Sequence, residues 1–428
     1  MSRRFAPRKL LQFANQKSPY YRELYQKCDL AKISWEDLPI VDLPSFWHAN
    51  SYYNNHLLTE QIAQGVVFKS GGTTGAPKFS IYTNREWEEF TAIFGHHLAK
   101  NSLQRGDRVA NLFYAGHLYA SFLFIQKSFE KCPTPIVNFP ISGNLPPEEI
   151  VSLLVQYQIN TLAVVPSTLV NMVEQLRKHQ RELHLNKILF GGEELYDDQR
   201  QLIQSLFPKI EICSIGYASV DGGHLGYVDV DCSSREHRVF TDSTIMEIVD
   251  PESGQQITEE GKVGRLIYTN LTRSLMPIIR YPVGDMAKWV ESRVVDGKFF
   301  GEKFRLEGRS EDGARVGPVT INREDVAAII KELAYSAMIV DFQMTITRQT
   351  TRDQLRLVLA IEGINLDNAK QIGADIIQHF YQQREMFKIA VEDGTIMPLK
   401  VKIVIPCDLE RNPRTGKLLR VIDHRLEQ

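Results

Sequence analysis

The chain has 428 residues, 43% hydrophobic and 24% charged, and its 50 basic and 52 acidic residues leave a net charge of −2. These figures predict a globular protein of two or three domains. They argue against binding to nucleic acid, which usually requires a basic excess. The five cysteines are scattered, the basic N-terminus lacks an apolar stretch, and every apolar run is too short to span a membrane. We therefore expect a cytoplasmic protein without disulfides or membrane spans.

Between residue 66 and about residue 224, short β-branched runs alternate with helical patterns. The predicted strands are Val66–Phe68, Phe79–Tyr82, Arg108–Phe113, Thr134–Phe139, Thr161–Val165, Lys187–Phe190 and Ile210–Ser214. The predicted helices include one capped by Asn84, Leu118–Ser128 and Glu148–Tyr157. Strands that alternate with helices predict a mostly parallel sheet covered by helices on both faces.

After about residue 224 the pattern changes. Strand-like runs (Thr244–Val249, Arg265–Thr269 and Met286–Val290) predict a β-rich subdomain at about 225–307. Beyond Gly308, a small α+β unit is predicted from helices at Glu324–Leu333 and Asp367–Arg384 and strands near Met338–Thr347, Leu355–Ile361 and Val401–Ile405. The predicted fold class is therefore α/β, with a large N-terminal domain at 1–310 and a small C-terminal domain at 311–428.

The strongest local signal is a glycine-rich segment between two predicted strands: Ser70, Gly71, Gly72, Thr73, Thr74, Gly75, Ala76, Pro77 and Lys78. Glycines let backbone N–H groups approach a ligand closely, and hydroxyls and a lysine add donors suited to phosphate oxygens. The spacing is not that of a Walker A loop, and Pro77 disfavours a helix there. The segment predicts a phosphate-binding loop; the alternative is a polar surface turn.

This segment resembles the signature loop of the adenylate-forming superfamily, which includes acyl-CoA synthetases, peptide-synthetase adenylation domains and luciferases. Other segments are similar to the superfamily's motifs in the same chain order: Gly191–Leu195, Tyr217–Asp221, Arg280–Asp285, Gly308–Asp312 and Asn412–Lys417. The Gly191-Gly192-Glu193 turn, the opening Ser18–Arg22 and the C-terminal Arg420–Asp423 resemble the phenylacetate–CoA ligase branch. The resemblance extends from about residue 10 to the C-terminus.

The resemblance implies an enzyme in which a carboxylate attacks the α-phosphorus of ATP and pyrophosphate leaves. Two anions must approach each other, so cations and N–H donors have to screen their charges. The glycine-rich loop would hold the β- and γ-phosphates, and Lys417 would bridge the carboxylate and the α-phosphate. Taken alone, a Gly-Lys pair near a C-terminus is usually a solvated turn.

The same resemblance implies the remaining nucleotide contacts. Asp285 and Arg309 would bind the ribose, and Tyr217 would offer its face to adenine. Gly192, Glu193, Ala218 and Ser219 would complete the nucleotide site. Asp221 would bind Mg²⁺, since hard oxygen ligands suit that ion. The ordinary alternatives are an aspartate in a turn, a surface ion pair and a half-buried tyrosine.

Three positions depart from the pattern. Val220 and Val283 stand where the superfamily usually has threonine, and Asp221 replaces a longer glutamate. These departures remove hydroxyl donors and shorten the reach to a metal ion. They motivate an alternative hypothesis, a catalytically silent homologue that binds a nucleotide or an acyl-adenylate.

Glu311 stands at the superfamily's usual hinge position. The resemblance implies that the small C-terminal domain is a mobile lid, which delivers Lys417 in one pose and builds the thioester-forming site in the other. A hinge needs only a few residues that absorb a change in φ and ψ. The alternative is a plain linker.

The acid pocket is expected to border Tyr114, His117 and Gly191, where aromatic and small residues would fit a flat aryl acid or another small acid. An aromatic cluster at helical spacing is more often part of a core. The acyl acceptor stays open between coenzyme A, the phosphopantetheine of an acyl-carrier protein, and an amine; a further alternative is a reaction that stops at the adenylate with no acceptor. Assembly as a homodimer stays open. Neither nucleic acid nor a membrane is expected as a partner.

A structural zinc site is not expected. Cys232, His237 and His224 resemble half of the site found in some phenylacetate–CoA ligase relatives, but tetrahedral zinc needs four ligands. We expect His224 and His237 to be ordinary loop histidines.

Overall fold

A computed structural model describes residues 4–62, 64–70, 78–179, 182–309, 313–333, 336–361, 366–411 and 418–426. The chain begins with short helices that each carry proline in the first turn: α1 (Pro7–Lys17), α2 (Pro19–Leu24) and α3 (Leu43–His48). The strands β1 (Val66–Ser70) and β2 (Lys78–Tyr82) follow and pair antiparallel on either side of the predicted phosphate loop. Residues 71–77 of that loop lie outside the described residues.

A parallel sheet then forms with strand order β4-β3-β5-β6-β7. Its strands are β3 (Arg108–Leu112), β4 (Val137–Pro140), β5 (Thr161–Val164), β6 (Lys187–Phe190) and β7 (Glu211–Ser214). The accompanying helices are α4 (Asn84–Asn101), α5 (Ser121–Glu130), α6 (Pro147–Gln156), α7 (Pro166–His179) and α8 (Asp197–Leu206). The predicted parallel sheet is therefore confirmed.

Three predicted boundaries were wrong for local reasons. Thr83, not Asn84, caps α4, because its hydroxyl accepts from Glu86 N and the Glu86 carboxylate accepts from Thr83 N in a capping box. The helix predicted from Leu118 begins at Ser121, since the φ angles of 51° at His117 and 63° at Leu118 are not helical. The strand predicted from Thr134 begins at Val137.

The region after β7 is β-rich, as predicted. Strands β8 (Tyr217–Ser219) and β9 (Gly223–Gly226) pair with each other. An antiparallel sheet with order β10-β14-β13-β12-β11 follows, built from β10 (Glu236–Arg238), β11 (Thr244–Val249), β12 (Val263–Asn270), β13 (Tyr281–Val295) and β14 (Lys298–Arg309). Asp296 and Gly297, both with positive φ, form the β13–β14 turn, as is typical of two-residue hairpins. The N-terminal helices pack on this sheet and share its hydrophobic core.

Residues 313–426 form a further α+β unit with its own hydrophobic core. Its hairpin β15 (Gly313–Val316) and β16 (Val319–Asn322) leads into α9 (Arg323–Lys331). A mixed sheet with order β19-β18-β17-β20 contains β17 (Ile339–Gln349), β18 (Arg352–Ile361), β19 (Lys400–Val404) and β20 (Val421–Asp423), accompanied by α10 (Leu366–Gln383) and α11 (Glu385–Glu392).

The predicted fold class is confirmed: an α/β part with a parallel sheet, a β-rich part and a C-terminal α+β part. The boundary at 310–311 stays a prediction, and Glu311 lies outside the described residues. Within the described part of the chain, no helix is both long and apolar enough to cross a membrane.

Candidate nucleotide and acid site

A cavity of about 560 Å³ lies where the parallel sheet, the β-rich part and the C-terminal unit meet. Ser167, Gly191 and Ile215 line it, and each comes shortly after the carboxyl end of a parallel strand, β5, β6 or β7. Ligands of open α/β sheets usually bind at this edge. The cavity therefore occupies the position that the sheet topology favours for a site.

The predicted Gly-Gly-Glu turn forms one wall of this cavity. A Cβ at Gly191 would lie 2.5 Å from Ile215 Cγ2, and Gly192 has a φ of 80°, so both positions favour glycine. Glu193 accepts hydrogen bonds from Ser167 N (3.1 Å) and Ser167 Oγ (2.7 Å). Burial raises the pKa of Glu193 to about 7, although these hydrogen bonds oppose the shift. The carboxyl group thus fastens the turn to the first turn of α7.

A second wall brings together two residues predicted for the nucleoside. The Tyr217 hydroxyl donates a hydrogen bond to Asp285 Oδ2, and both residues line the cavity. The Tyr217 ring packs near His237 and Phe304, at centroid distances of 5.6 and 6.2 Å. Asp285 on β13 is the register partner of Arg309 on β14. The two positions predicted to bind ribose are therefore directly opposite each other in the sheet.

The segment from Ala218 to Asp221 continues this wall, and all four residues line the cavity. Ser219 Oγ accepts from Gly222 N at 2.8 Å, which fixes the turn that follows β8. Ser80 Oγ, on β2, donates to Asp221 Oδ1 at 2.7 Å, and the Tyr82 hydroxyl donates to Val220 O at 2.7 Å. The strand that leaves the glycine-rich loop is thus bonded to the predicted metal ligand.

A Mg²⁺ ion fits this wall. Asp221 supplies a hard carboxylate oxygen at the cavity, and Mg²⁺ is usually held by one or two carboxylates together with substrate phosphates. The described residues contain no group of three or more His, Cys, Asp or Glu side chains that could hold a metal without such phosphates. The metal role of Asp221 stays a prediction.

The structure describes one of the two predicted lysines. Lys78 begins β2, lines the cavity, and places Nζ 5.4 Å from the centre of the Trp47 ring. Lys417 lies outside the described residues. On either side of it, Glu410 O and Leu419 O accept from Gln343 Nε2 at 2.7 and 2.5 Å. These flanking residues do not line the cavity in this arrangement.

An aromatic end of the cavity is lined by Trp87, Phe90, Phe94, Phe113, Tyr119 and Phe124. The structure does not bring the predicted pocket residues Tyr114 and His117 to the cavity. The Tyr114 hydroxyl instead lies 3.0 Å from Thr168 Oγ1, and burial raises the pKa of Tyr114 to about 12. His117 is exposed and has a positive φ of 51°. Of the three residues predicted for the acid pocket, Gly191 lines the cavity.

The C-terminal unit supplies a charged wall that the sequence did not reveal. Arg315 donates to Gly192 O at 2.9 Å, which joins the unit directly to the Gly-Gly-Glu turn. Arg348 lies 3.2 Å from Asp198 on α8 and 2.6 Å from Asp353. Arg352 pairs with Glu174 on α7 at 2.6 Å. Arginines dispersed over strands have no recognisable spacing, so no motif could have identified them.

The expectation that His224 and His237 are loop histidines was wrong. They lie on β9 and β10, and both are buried against Phe240 and Phe304 respectively. Burial lowers the pKa of His224 to about 3 and that of His237 to about 4, which keeps both rings neutral. They are core residues.

Comparison with known proteins gives a consistent result. No protein-family model matches the chain. The phenylacetate–coenzyme A ligase of Thermus thermophilus is 25% identical over 98% of this chain and 95% of its own length. The indoleacetate–lysine synthetase of Pseudomonas savastanoi is 25% identical over 62% of this chain and 64% of its own length.

Among solved structures, 2-hydroxyisobutyryl-CoA ligase in complex with 2-HIB-AMP and CoA, in the thioesterification state, superimposes with a TM-score of 0.72. The match covers 98% of this chain and 88% of that one, at 18% identity. The chain therefore shares the fold of this ligase structure. Within the adenylate-forming superfamily the chain is a homologue of the phenylacetate–coenzyme A ligases, as the motifs indicated.

Proposed function

We propose that this protein is an AMP-forming acid–thiol ligase, which activates an aryl or other small carboxylic acid with ATP and then forms a thioester with coenzyme A. The observation that carries the proposal is the convergence of Lys78, Gly191–Glu193, Tyr217–Asp221 and Asp285 on one cavity. These segments are far apart in the chain, yet all of them line the same cavity. The similarity to a phenylacetate–coenzyme A ligase over nearly the whole chain supports the same activity.

The proposed chemistry follows from the charges at the cavity. The acid would lie at the aromatic end with its carboxylate toward the α-phosphate of ATP. The glycine-rich loop and Lys78 would hold the outer phosphates, and Asp285 and Arg309 the ribose. Mg²⁺, held by Asp221 and the phosphates, would neutralise charge on the leaving pyrophosphate. The reaction forms the C–O–P bond of the adenylate and breaks the bond between the α- and β-phosphates.

We propose that the C-terminal unit acts in two poses about Glu311, with the boundary at 310–311. In the pose described here, the tip of the β17–β18 hairpin contacts α7 and α8. Gln343, which holds the residues beside Lys417, lies about 16 Å back along β17 from Arg348, at ~3.3 Å per residue. We assign this pose to thioester formation and expect a rotation to deliver Lys417 for adenylation. In support of this assignment, the TM-score with the solved ligase is 0.72 for its thioesterification state and 0.61 for its postadenylation state.

A second candidate function differs from this proposal in the group that accepts the acyl chain. The similarity to indoleacetate–lysine synthetase favours transfer of the acyl group to an amine as the alternative. An acyl-carrier protein in place of coenzyme A, assembly as a homodimer and a cytoplasmic location stay predictions. A silent adenylate-binding homologue is the third hypothesis, because Val220 and Val283 line the cavity where hydroxyls are usual.

The test is a pyrophosphate-release screen over aromatic, aliphatic and amino acids with ATP and Mg²⁺, followed by product analysis. We expect release with an arylacetic or arylcarboxylic acid, and a coenzyme A thioester when coenzyme A is added. An amide that forms only with lysine would favour the second candidate. Tight binding of an acyl-adenylate without release for any acid would favour the silent homologue.

A further inference from the structure

Arg273 is a fully buried cation in the segment between β12 and β13, with 1% of its surface exposed. Its guanidinium lies 3.8 Å from the centre of the Tyr82 ring. Desolvating a cation is costly, so a buried arginine has to recover that cost through hydrogen bonds. The contacts of this side chain therefore indicate what it is used for.

The two terminal nitrogens of Arg273 bond to two different segments, of which one lines the cavity. Arg273 NH1 donates to Asp221 O and NH2 donates to Ile81 O, each at 2.7 Å. Ile81 lies on β2, the strand that leaves the glycine-rich loop, and Asp221 is the predicted metal ligand. One rigid, planar group therefore spans the gap between the strand that follows the phosphate loop and the turn that presents the carboxylate.

Neighbouring bonds hold the same two segments together. Ser80 and Tyr82, on either side of Ile81, bond to Asp221 and to Val220. Asn270 Nδ2 donates to Gly222 O at 2.7 Å, from the end of β12. The first two bonds fix one register between β2 and residues 220–221, and the third holds Gly222 from β12. Arg273 adds to them, because its side chain bonds to both segments from the connection between β12 and β13.

The segment that carries Arg273 is itself anchored to the start of α4. Glu86 Oε1 accepts from Ser274 N at 2.5 Å and from Leu275 N at 2.8 Å. Glu86 also forms the capping box of α4 with Thr83, which directly follows β2. The backbone beside Arg273 is therefore also connected to the end of β2, through Glu86 and Thr83 and not through the Arg273 side chain.

From these contacts we propose that Arg273 is a positioning residue for ATP activation. It sets the orientation of Asp221 relative to the strand that follows the phosphate loop, and so the geometry of metal-bound ATP. It does not reach the cavity, so its effect passes through the two carbonyl groups it bonds. This role rests on the proposed function for its kinetic consequence but not for its effect on metal-dependent nucleotide binding.

Arg280 provides a matched control in the same connecting segment. It is also 1% exposed, but it bonds to Glu247 and to the carbonyls of Glu36 and Leu38, away from the cavity wall that Arg273 holds. R273K and R280K each keep the positive charge but replace the planar guanidinium fork by a compact ammonium group, which does not reproduce the fork geometry. The two variants should lose comparable thermal stability and differ in their effect on the site.

Two measurements on the full chain test the proposal. The first is the affinity for α,β-methylene-ATP, measured by calorimetry with and without Mn²⁺. The ratio of the two affinities gives the enhancement by Mn²⁺. We expect this enhancement to be about 10-fold smaller in R273K than in the wild type, as for loss of one hydrogen bond to a charged group, and unchanged in R280K. The second is the rate of acid-dependent pyrophosphate exchange, with ATP and acid each varied in concentration. There we expect kcat to fall about 10-fold in R273K and the KM for ATP to rise, as the loss of metal-dependent nucleotide affinity implies, while the KM for the acid changes less than about 3-fold.

Equal Mn²⁺ enhancement in R273K and the wild type would overturn the proposal, as would equal losses of kcat in R273K and R280K. If the wild type exchanged no pyrophosphate with any acid, the proposed function would fail. In that case a Mn²⁺ enhancement lost in R273K and kept in R280K would still support the positioning role.

Discussion

The Tyr217 hydroxyl donates a hydrogen bond to the Asp285 carboxylate at the wall of the cavity. A carboxylate has about four lone-pair sites, so Asp285 can hold this hydroxyl and still accept from a ribose. The contact joins two motifs that lie 68 residues apart in the chain. It also fixes the orientation of Asp285 before a nucleotide binds.

Replacement of Tyr217 by phenylalanine tests this relationship. The ring stays but the donor is lost, so Asp285 is less well oriented for the ribose. We expect the KM for ATP to rise about 10-fold, the size of one hydrogen bond to a charged group, with kcat within about 2-fold. The control is Tyr268→Phe, because the buried Tyr268 hydroxyl bonds to His224 O instead. An unchanged KM for ATP in Tyr217→Phe would contradict the role.

Glu193 predicts a dependence of stability on pH. Its pKa is raised to about 7 in the folded protein, whereas an unfolded glutamate has a pKa of about 4.3. The folded state binds more protons between these values, so its stability falls as pH rises from about 4.5 to 7. Over this range we expect the free energy of unfolding of Glu193→Gln to fall by about 2 kcal/mol less than that of the wild type. The variant should fold, because its amide oxygen can still accept from Ser167.

Urea denaturation of the wild type and Glu193→Gln at pH 5 and pH 7.5 measures the effect. His224 and His237 act with the opposite sign, since their lowered pKa values make stability fall as pH decreases below about 6.5. Both proteins share the two histidines, so the difference between them reports Glu193. A difference that does not change with pH would show that Glu193 is ionised throughout.

The buried ion pair of Arg280 and Glu247 predicts a large loss of stability when it is broken. The two side chains are each 2% exposed and 2.9 Å apart. Arg280→Met leaves an unpaired carboxylate in the core, where desolvation already raises the pKa of Glu247. We expect a loss of about 3–5 kcal/mol.

The double variant Arg280→Met, Glu247→Leu separates the charge effect from packing. Removing both charges should recover much of the loss, because an apolar pair carries no desolvation penalty. Urea denaturation measures both variants. A double variant less stable than Arg280→Met would show that the ion pair acts through its other hydrogen bonds.

The contact of Arg348 with Asp198 predicts a separation of the two half-reactions. Asp198→Asn weakens the contact between the C-terminal unit and α8 but leaves the Arg348–Asp353 pair. Since the Asp198 side chain is 41% exposed, we expect a modest 2- to 5-fold fall in the rate of thioester formation from a supplied adenylate. Pyrophosphate exchange should not fall.

The control for this test is Asp197→Asn, which removes the neighbouring exposed carboxylate from the same first turn of α8. It should leave both half-reactions unchanged. Equal falls in thioester formation and exchange in Asp198→Asn would contradict the assignment of this pose to thioester formation.

The sequence predicted the parallel sheet because apolar runs such as Leu162–Val164 are buried on both faces and alternate with amphipathic helices. It placed Gly192 and Asp285 in short motifs, and both residues line the cavity. Tyr114 and His117 do not line it in this structure, where residues 117 and 118 adopt a positive φ that a one-dimensional pattern does not record. Their role in the acid pocket stays a prediction.

The long-range contacts could not be predicted from the sequence, for a different reason. Arg273 reaches Ile81 across 192 positions, and Arg315 reaches Gly192 across 123. Neither arginine has a spacing that marks it, because tertiary packing alone brings each pair together. The role of Arg273 therefore became visible only from the folded chain.

The most direct test of the account is exchange of labelled pyrophosphate into ATP in the presence of Mg²⁺ and phenylacetate or another aryl acid. We predict exchange that depends on the acid, and a loss of at least 100-fold in Asp285→Ala, whose missing carboxylate removes both ribose hydrogen bonds, each worth about 1.5–3 kcal/mol. A wild-type protein that binds ATP yet catalyses no acid-dependent exchange with any acid, or that releases ADP instead of AMP, would contradict the assignment.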